Sequence, residues 1–122
     1  MALGFSTRAI HNGEEPDFRE GASGDVAVPI HLATTFARRK AGSPTAGYEY
    51  TRSLNPTRKA LEEKLAALDG AKYGLAFSSG LAAASTLIIS LLKAGDHVIG
   101  FDDLYGGTIR LLSNVFVNFN IT

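Results

Sequence analysis

Cysteine is missing from all 122 residues, which excludes disulfides and thiolate metal sites. Histidine is scarce. His11, His31 and His97 lie far apart without the spacing of metal ligands, and surface or capping roles are expected for them. No charge sign is in excess, since twelve basic residues face twelve acidic ones. That balance offers no electrostatic grip on nucleic acid or an anionic membrane surface. The longest apolar run, Leu81 to Leu92, is interrupted by Ser85, Thr86 and Ser90 and is too short to span a bilayer. Met1 to Ser6 lack the charged start and long apolar stretch of a signal peptide. Internal repeats and low-complexity tracts are absent too. A cytoplasmic location fits these absences. What is present is 45% apolar residues, enough for a core in one modest domain.

The chain is organised around Tyr73 to Ala84. Leu75 to Phe77 is a short apolar run of the kind that forms a buried strand. Ser78-Ser79-Gly80 is a small-residue turn, and an Ala-rich helix is expected over Leu81 to Leu92. The first N–H groups of such a helix have no intrahelical acceptor, and the positive end of its dipole favours an anion such as phosphate. Gly80 lets the backbone approach that anion closely. The same pattern is also found in strand–turn–helix units that bind nothing. Ala76-Phe77-Ser78-Ser79-Gly80 further imitates a nucleophile elbow, which leaves a serine hydrolase using Ser78 as a competing reading.

Residues 1–45 read as an arm with little regular structure. Within it Ser6 is expected to cap a short helix over Thr7 to His11, stopped by Asn12-Gly13. Glu14 to Gly24 is expected to be loop, and Val26 to Phe36 extended, because Pro29 interrupts it. Arg38-Arg39-Lys40 is a solvated basic run. Such an arm is expected to lie over another subunit or over the remainder of a longer chain. In the extended stretch that follows, Tyr48, Tyr50 and Arg52 would share one face, with Glu49 and Thr51 on the other. A phenol beside a guanidinium makes a phosphate grip, and it also occurs as a plain surface pair.

Asn55-Pro56 starts a helix with an apolar stripe of Leu61, Leu65 and Leu68, and Gly70 ends it. Arg58/Glu62 and Lys59/Glu63 stand four apart, on what is expected to be its wet side. Lys93 to Asp96 is a turn, and His97 to Phe101 a second buried strand. A third helix after Tyr105 would place Ile109, Leu112, Val115, Phe116 and Phe119 on one face. Ile121-Thr122 looks like the start of another strand. This alternation predicts a parallel α/β sheet with functional loops at the carboxyl ends of its strands.

Three segments then stand in register: Tyr50 to Thr57, Phe77 to Ala83 and Asp102 to Thr108. Together they resemble the Cys/Met-metabolism family of pyridoxal-phosphate enzymes, from about Ser6 to the last residue. The resemblance implies an N-terminal portion of a fold-type I, aspartate-aminotransferase-like enzyme. Residues 1–45 would be an intersubunit arm, and residues 46–122 the first part of the large α/β domain that binds pyridoxal 5′-phosphate. It implies that Gly80 and Leu81 hold the cofactor phosphate by backbone N–H groups, with Ser79 beside them. Tyr105 would stack on the pyridine ring and assist proton transfer. Tyr50 and Arg52 would hold the phosphate of the neighbouring subunit's cofactor, in a homo-oligomer, expected to be a tetramer, with shared active sites.

One departure stands out. The lysine that bonds to the cofactor aldehyde lies well downstream in the family, and Lys40, Lys59, Lys64, Lys72 and Lys93 do not match its position. These residues are therefore expected to be inactive without the remaining C-terminal part. For the substrate, Glu49 suits a second amino group and Arg110 a distal carboxylate, a pair that points to cystathionine. Arg110 also has a plain reading as a helix-surface charge. Methionine γ-lyases typically carry cysteine at the place of Gly107. The expected chemistry is γ-elimination or γ-replacement on cystathionine or an O-acylhomoserine. Methionine γ-lyase and O-acylhomoserine sulfhydrylase are the alternatives, and no metal is expected.

Overall fold

A computed structural model describes residues 3–18 and 20–122. Met1 and Ala2 of the expected arm, and Arg19 of its loop, lie outside the described residues. The chain divides into two compact units, one ending at Ala76 and one running from Phe77 to Thr122. No helix among the described residues is long and apolar enough to cross a membrane.

The first unit is built on two helices and a small hairpin. Helix α1 spans Phe5–His11, with Gly4 at its N-cap and no side-chain cap. Ser6 is therefore inside the helix and not its cap, and the helix starts two residues earlier than expected. Strands β1 (Arg38–Lys40) and β2 (Ser43–Pro44) pair antiparallel, and an isolated antiparallel bridge joins Thr35 to Tyr50. Helix α2 spans Pro56–Leu68. The Asn55 side chain accepts the Thr57 N–H at 2.9 Å, and Pro56 occupies the first turn, where its missing N–H costs nothing. At the other end Gly70 has φ 65°. Ala71 N–H reaches Ala66 O at 2.8 Å, and Gly70 N–H reaches Ala67 O at 3.4 Å. This is a Schellman stop, which satisfies carbonyls the helix cannot.

The face that α2 buries differs from the leucine stripe. Leu61 and Leu65 are each 49% exposed, whereas Ala66 is 7% exposed. The reason is close backbone approach. A Cβ on Gly13 would lie 2.5 Å from Ala60 O, and one on Gly74 2.5 Å from Glu62 O. Two glycines thus let main chain rest directly on the helix, along Ala60, Glu62 and Ala66. Lys59 and Glu63 remain on the exposed side at 2.6 Å, and that hydrogen bond holds the Lys59 pKa above its ordinary value. Lys64 pairs with Glu14, and the Arg8 guanidinium donates to Ala67 O.

In the second unit helix α3 spans Gly80–Leu91, one residue earlier than expected. After it the Asp96 carboxylate accepts the Lys93 N–H at 3.0 Å, and Gly95, at φ 95°, donates to Asn120 O at 2.7 Å. Thr122 N–H donates to Asp96 O at 3.2 Å, and Val98 N–H donates to Thr122 O at 2.6 Å. One residue bonded to the two flanking another is the pattern of a parallel ladder. His97 and Thr122 therefore form its first rung, in the expected sense.

The expectation that Leu75–Phe77 and His97–Phe101 are buried strands is not met. Leu75 is 78% and Ile99 90% exposed. Leu75–Phe77 forms no strand ladder among the described residues. A strand is buried by its neighbours, and one parallel rung does not supply them.

The third helical stretch is not uniform. Helix α4 (Gly106–Arg110) passes into a π-helical segment at Leu111–Val115 and a 3₁₀ turn at Phe116–Phe119. A π segment rotates later side chains away from α-helical register. This explains why Phe116 is fully buried while Ile109, Val115 and Phe119 are exposed, contrary to the single face expected. Asn120, at φ 55°, ends the stretch, and Ile121 joins Phe116 in the core.

Candidate functional site

The start of α3 leaves backbone donors unpaired. Ser79 is its N-cap, and its hydroxyl oxygen accepts the Ala82 N–H at 3.1 Å. Ala83 N–H goes to Ser79 O at 3.0 Å. The N–H groups of Gly80 and Leu81 have no acceptor among the described residues. Nothing lies within 4 Å of where a Gly80 Cβ would be, so the approach to those two donors is open. Unpaired donors at the positive end of a twelve-residue helix suit a phosphate dianion, and the Ser79 hydroxyl hydrogen is free to join them.

Tyr105 is the N-cap of α4, where its carbonyl accepts the N–H groups of Thr108 at 2.8 Å and Ile109 at 3.1 Å. Its side chain is exposed, with the ring edge over Gly107. A Cβ at residue 107 would stand 2.4 Å from Tyr105 Cε1 and 3.2 Å from Leu81 Cδ1. Tyr105, Gly107 and Leu81 thus come together within this unit. Because α4 begins at Gly106, Arg110 is its fifth residue and lies outside the first turn. At about 100° per residue it is some 140° round from Tyr105. Arg110 is exposed and has no ion pair among the described residues.

In the first unit the extended alternation stops at Tyr50. Thr51 to Ser53 form a turn, closed by Ser53 and Leu54 N–H groups on Tyr50 O at 3.1 and 3.0 Å. The turn still brings Tyr50 and Arg52 together, with the guanidinium carbon 4.9 Å from the ring centre. Tyr48 does not join them, because its ring packs on Phe36 at 5.5 Å. Glu49 is already engaged, with its carboxylate 3.3 Å from Arg38 Nη2. Arg38 is thus not simply solvated, which sequence spacing gave no means to see.

Sequence spacing also missed the polar frame around the turn. The Asn55 amide nitrogen donates to Thr51 Oγ1 at 2.9 Å and to His31 O at 3.1 Å. Arg58 donates to Thr51 O and Ser53 O, each at 2.9 Å. Glu62, with its side chain 15% exposed, accepts the Ala76 N–H at 2.9 Å. The i, i+4 spacing of Arg58 and Glu62 was legible, but their direction was not. The expected wet pair faces the backbone.

Ser78 is exposed, and no hydrogen bond joins it to a histidine among the described residues, as a nucleophile–base pair requires. Lys59 and Lys64 are held by Glu63 and Glu14, and Lys72 lies 5.0 Å over the Tyr73 ring.

A loop with free backbone donors before a helix, and a tyrosine at the start of the next helix, are features of a cofactor-phosphate enzyme of α/β class. Residues 6–122 match the family described as Cys/Met metabolism PLP-dependent enzyme, and the chain belongs to that family. A probable cystathionine gamma-synthase of Herpetosiphon aurantiacus is 52% identical over 122 residues, 100% of this chain and 37% of that protein. Cystathionine gamma-lyase of Bos taurus is 54% identical over 119 residues, 96% of this chain and 28% of that protein. Among solved structures, metB from Corynebacterium glutamicum superposes with a TM-score of 0.92 at 49% identity, covering 98% of this chain and 30% of that one. Cystathionine gamma-lyase from yeast gives 0.86 at 43% identity, covering 99% of this chain and 30% of that one. The chain therefore has the fold of the corresponding part of these enzymes and spans about a third of their length. The family's cofactor is pyridoxal 5′-phosphate, and the free donors at Gly80 and Leu81 fit its phosphate.

Proposed function

We propose that this chain is the amino-terminal part of a pyridoxal-phosphate enzyme that cleaves or builds cystathionine by γ-elimination or γ-replacement. The observation that carries the reading is the start of α3, where Gly80 and Leu81 offer two unpaired N–H groups to an open approach. The names of the relatives, cystathionine gamma-synthase and gamma-lyase, support the substrate class.

In this reading Gly80, Leu81 and Ser79 hold the cofactor phosphate, and Tyr105 stacks on its ring and moves a proton at the phenol oxygen. The bound cofactor supplies an electron sink for charge developing on the substrate's α-carbon. Tyr50 and Arg52 grip the phosphate of a neighbouring subunit's cofactor, so the enzyme works as a homo-oligomer, a tetramer in our reading. Residues 1–45 serve as the intersubunit arm, and residues 46–122 begin the cofactor domain. Glu49 reads a distal amino group and Arg110 a distal carboxylate. The enzyme acts in the cytoplasm.

The test compares residues 1–122 alone with a full-length enzyme carrying them. The full-length enzyme should develop a visible absorbance band with pyridoxal 5′-phosphate and turn over cystathionine. The isolated residues should do neither, because no lysine among them matches the one that bonds to the aldehyde. Turnover by the isolated residues, or none by the full-length enzyme, would refute the reading.

A further inference from the structure

Arg58 occupies the third position of α2, in its first turn. A cation there opposes the helix dipole, which is a local cost. Tertiary contacts offset that cost. Nη1 donates to Thr51 O and Nη2 to Ser53 O, both at 2.9 Å, so one guanidinium spans the two carbonyls that flank Arg52. Its Nε lies 3.6 Å from Glu62 Oε1. The same Glu62 oxygen accepts the Ala76 N–H at 2.9 Å, two residues before Ser78. The main chain is close at this point as well, since a Cβ on Gly74 would meet Glu62 O at 2.5 Å. Ala76 lies in a segment with no strand ladder among the described residues, so Glu62 supplies the acceptor its N–H needs.

We propose that Arg58 and Glu62 are positioning residues for cofactor binding. They fasten two backbone segments to one helix: the turn that carries Tyr50 and Arg52, and the segment through Ala76 that leads into Ser78–Gly80. The inference rests on reading Arg52 and Gly80 as contacts to the cofactor phosphate. If Arg52 serves the neighbouring subunit's cofactor, the pair links a subunit's own site to the one it completes. A lysine at residue 58 would keep the charge but could not span both carbonyls. A glutamine at residue 62 would keep the acceptor for Ala76 and lose the charge.

The experiment measures pyridoxal 5′-phosphate affinity of the full-length apoenzyme and peptide-level hydrogen exchange over residues 73–78. Arg58→Ala should weaken affinity about tenfold, the loss expected of a charge-assisted contact. Arg58→Lys should recover less than half of that loss on a logarithmic scale while restoring thermal stability. It also serves where Arg58→Ala fails to fold. Glu62→Gln should stay within about threefold of wild type, whereas Glu62→Ala should speed exchange at residues 73–78. The deciding readout is a double-mutant cycle with Arg52→Ala. If Arg58 acts through the grip, adding Arg58→Ala to Arg52→Ala costs less than about threefold more. A full further tenfold loss, or unchanged exchange in Glu62→Ala, overturns the proposal. Failure of the wild-type enzyme to bind the cofactor would instead overturn the functional reading, and exchange in Glu62→Ala would still decide whether Glu62 holds the Ala76 backbone.

Discussion

The edge of the Tyr105 ring occupies the space where residue 107 would carry a side chain: a Cβ there would stand 2.4 Å from Tyr105 Cε1. Gly107 is buried and helical, so its lack of a side chain serves the ring and not a turn. Gly107→Ala should leave stability equal or raised by about 0.5–1 kcal/mol, because alanine favours the helix. The ring must move, so turnover should fall while the melting temperature does not. Unchanged turnover would mean that the ring works elsewhere. A cysteine, which the family resemblance puts here in methionine γ-lyases, would force the same shift.

Arg52→Ala in a full-length enzyme should weaken cofactor affinity ten- to a hundredfold, about 1.5–3 kcal/mol, with the fold intact. The far-ultraviolet circular dichroism should not change, because Arg52 is exposed and its guanidinium lies over the Tyr50 ring, outside any helix or strand. Mixing Arg52→Ala subunits with subunits lacking the catalytic lysine should restore one working site per mixed pair. No restoration would place the grip within its own chain.

Arg110→Ala should raise KM for cystathionine well above its effect on homoserine or methionine, which lack a distal carboxylate. The fifth position of α4 makes this the boldest of these expectations, since Arg110 sits round the helix from Tyr105. Equal effects on all substrates would make Arg110 a surface charge.

Two glycines should respond oppositely to alanine. At Gly74 the new Cβ would meet the main-chain oxygen of Glu62 at 2.5 Å, which cannot swing aside as a side chain can. Gly74→Ala should cost about 1–3 kcal/mol in chemical denaturation. At Gly80 nothing lies within 4 Å, so Gly80→Ala should leave the denaturation midpoint unchanged. It should still weaken cofactor binding, because the added methyl group stands where a phosphate must approach the backbone. If Gly80→Ala binds the cofactor normally, the phosphate does not approach from that side.

Local chemistry was legible because local chemistry decides it. Asn55, Pro56 and Gly70 marked the ends of α2, and the Ser78-Ser79-Gly80 turn marked the start of α3 to within one residue. Each acts on main chain within a few residues, so no distant partner is needed. The family pattern was legible for a related reason, since Tyr50 to Thr57 and Phe77 to Ala83 are short motifs in order. Direction was not legible. Leu61 and Leu65 looked like a core stripe, yet Gly13 and Gly74 bring main chain to a different face of α2. Arg58 and Glu62 looked like a wet pair, yet they hold two backbone segments.

By itself, then, the sequence determined the ends of α2, the Ser78-Ser79-Gly80 turn before α3 and the family, all properties of neighbouring residues. Tertiary structure alone decided which side of each helix is covered, that Arg38 meets Glu49 and Lys64 meets Glu14, and whether an apolar run becomes a strand. Leu75–Phe77 has the composition of a strand and no ladder among the described residues, while His97 gains its rung only because Thr122 returns beside it. A helix closes its hydrogen bonds within its own residues, but a strand closes them on chain far away, so composition can propose a strand and only a neighbour can make one.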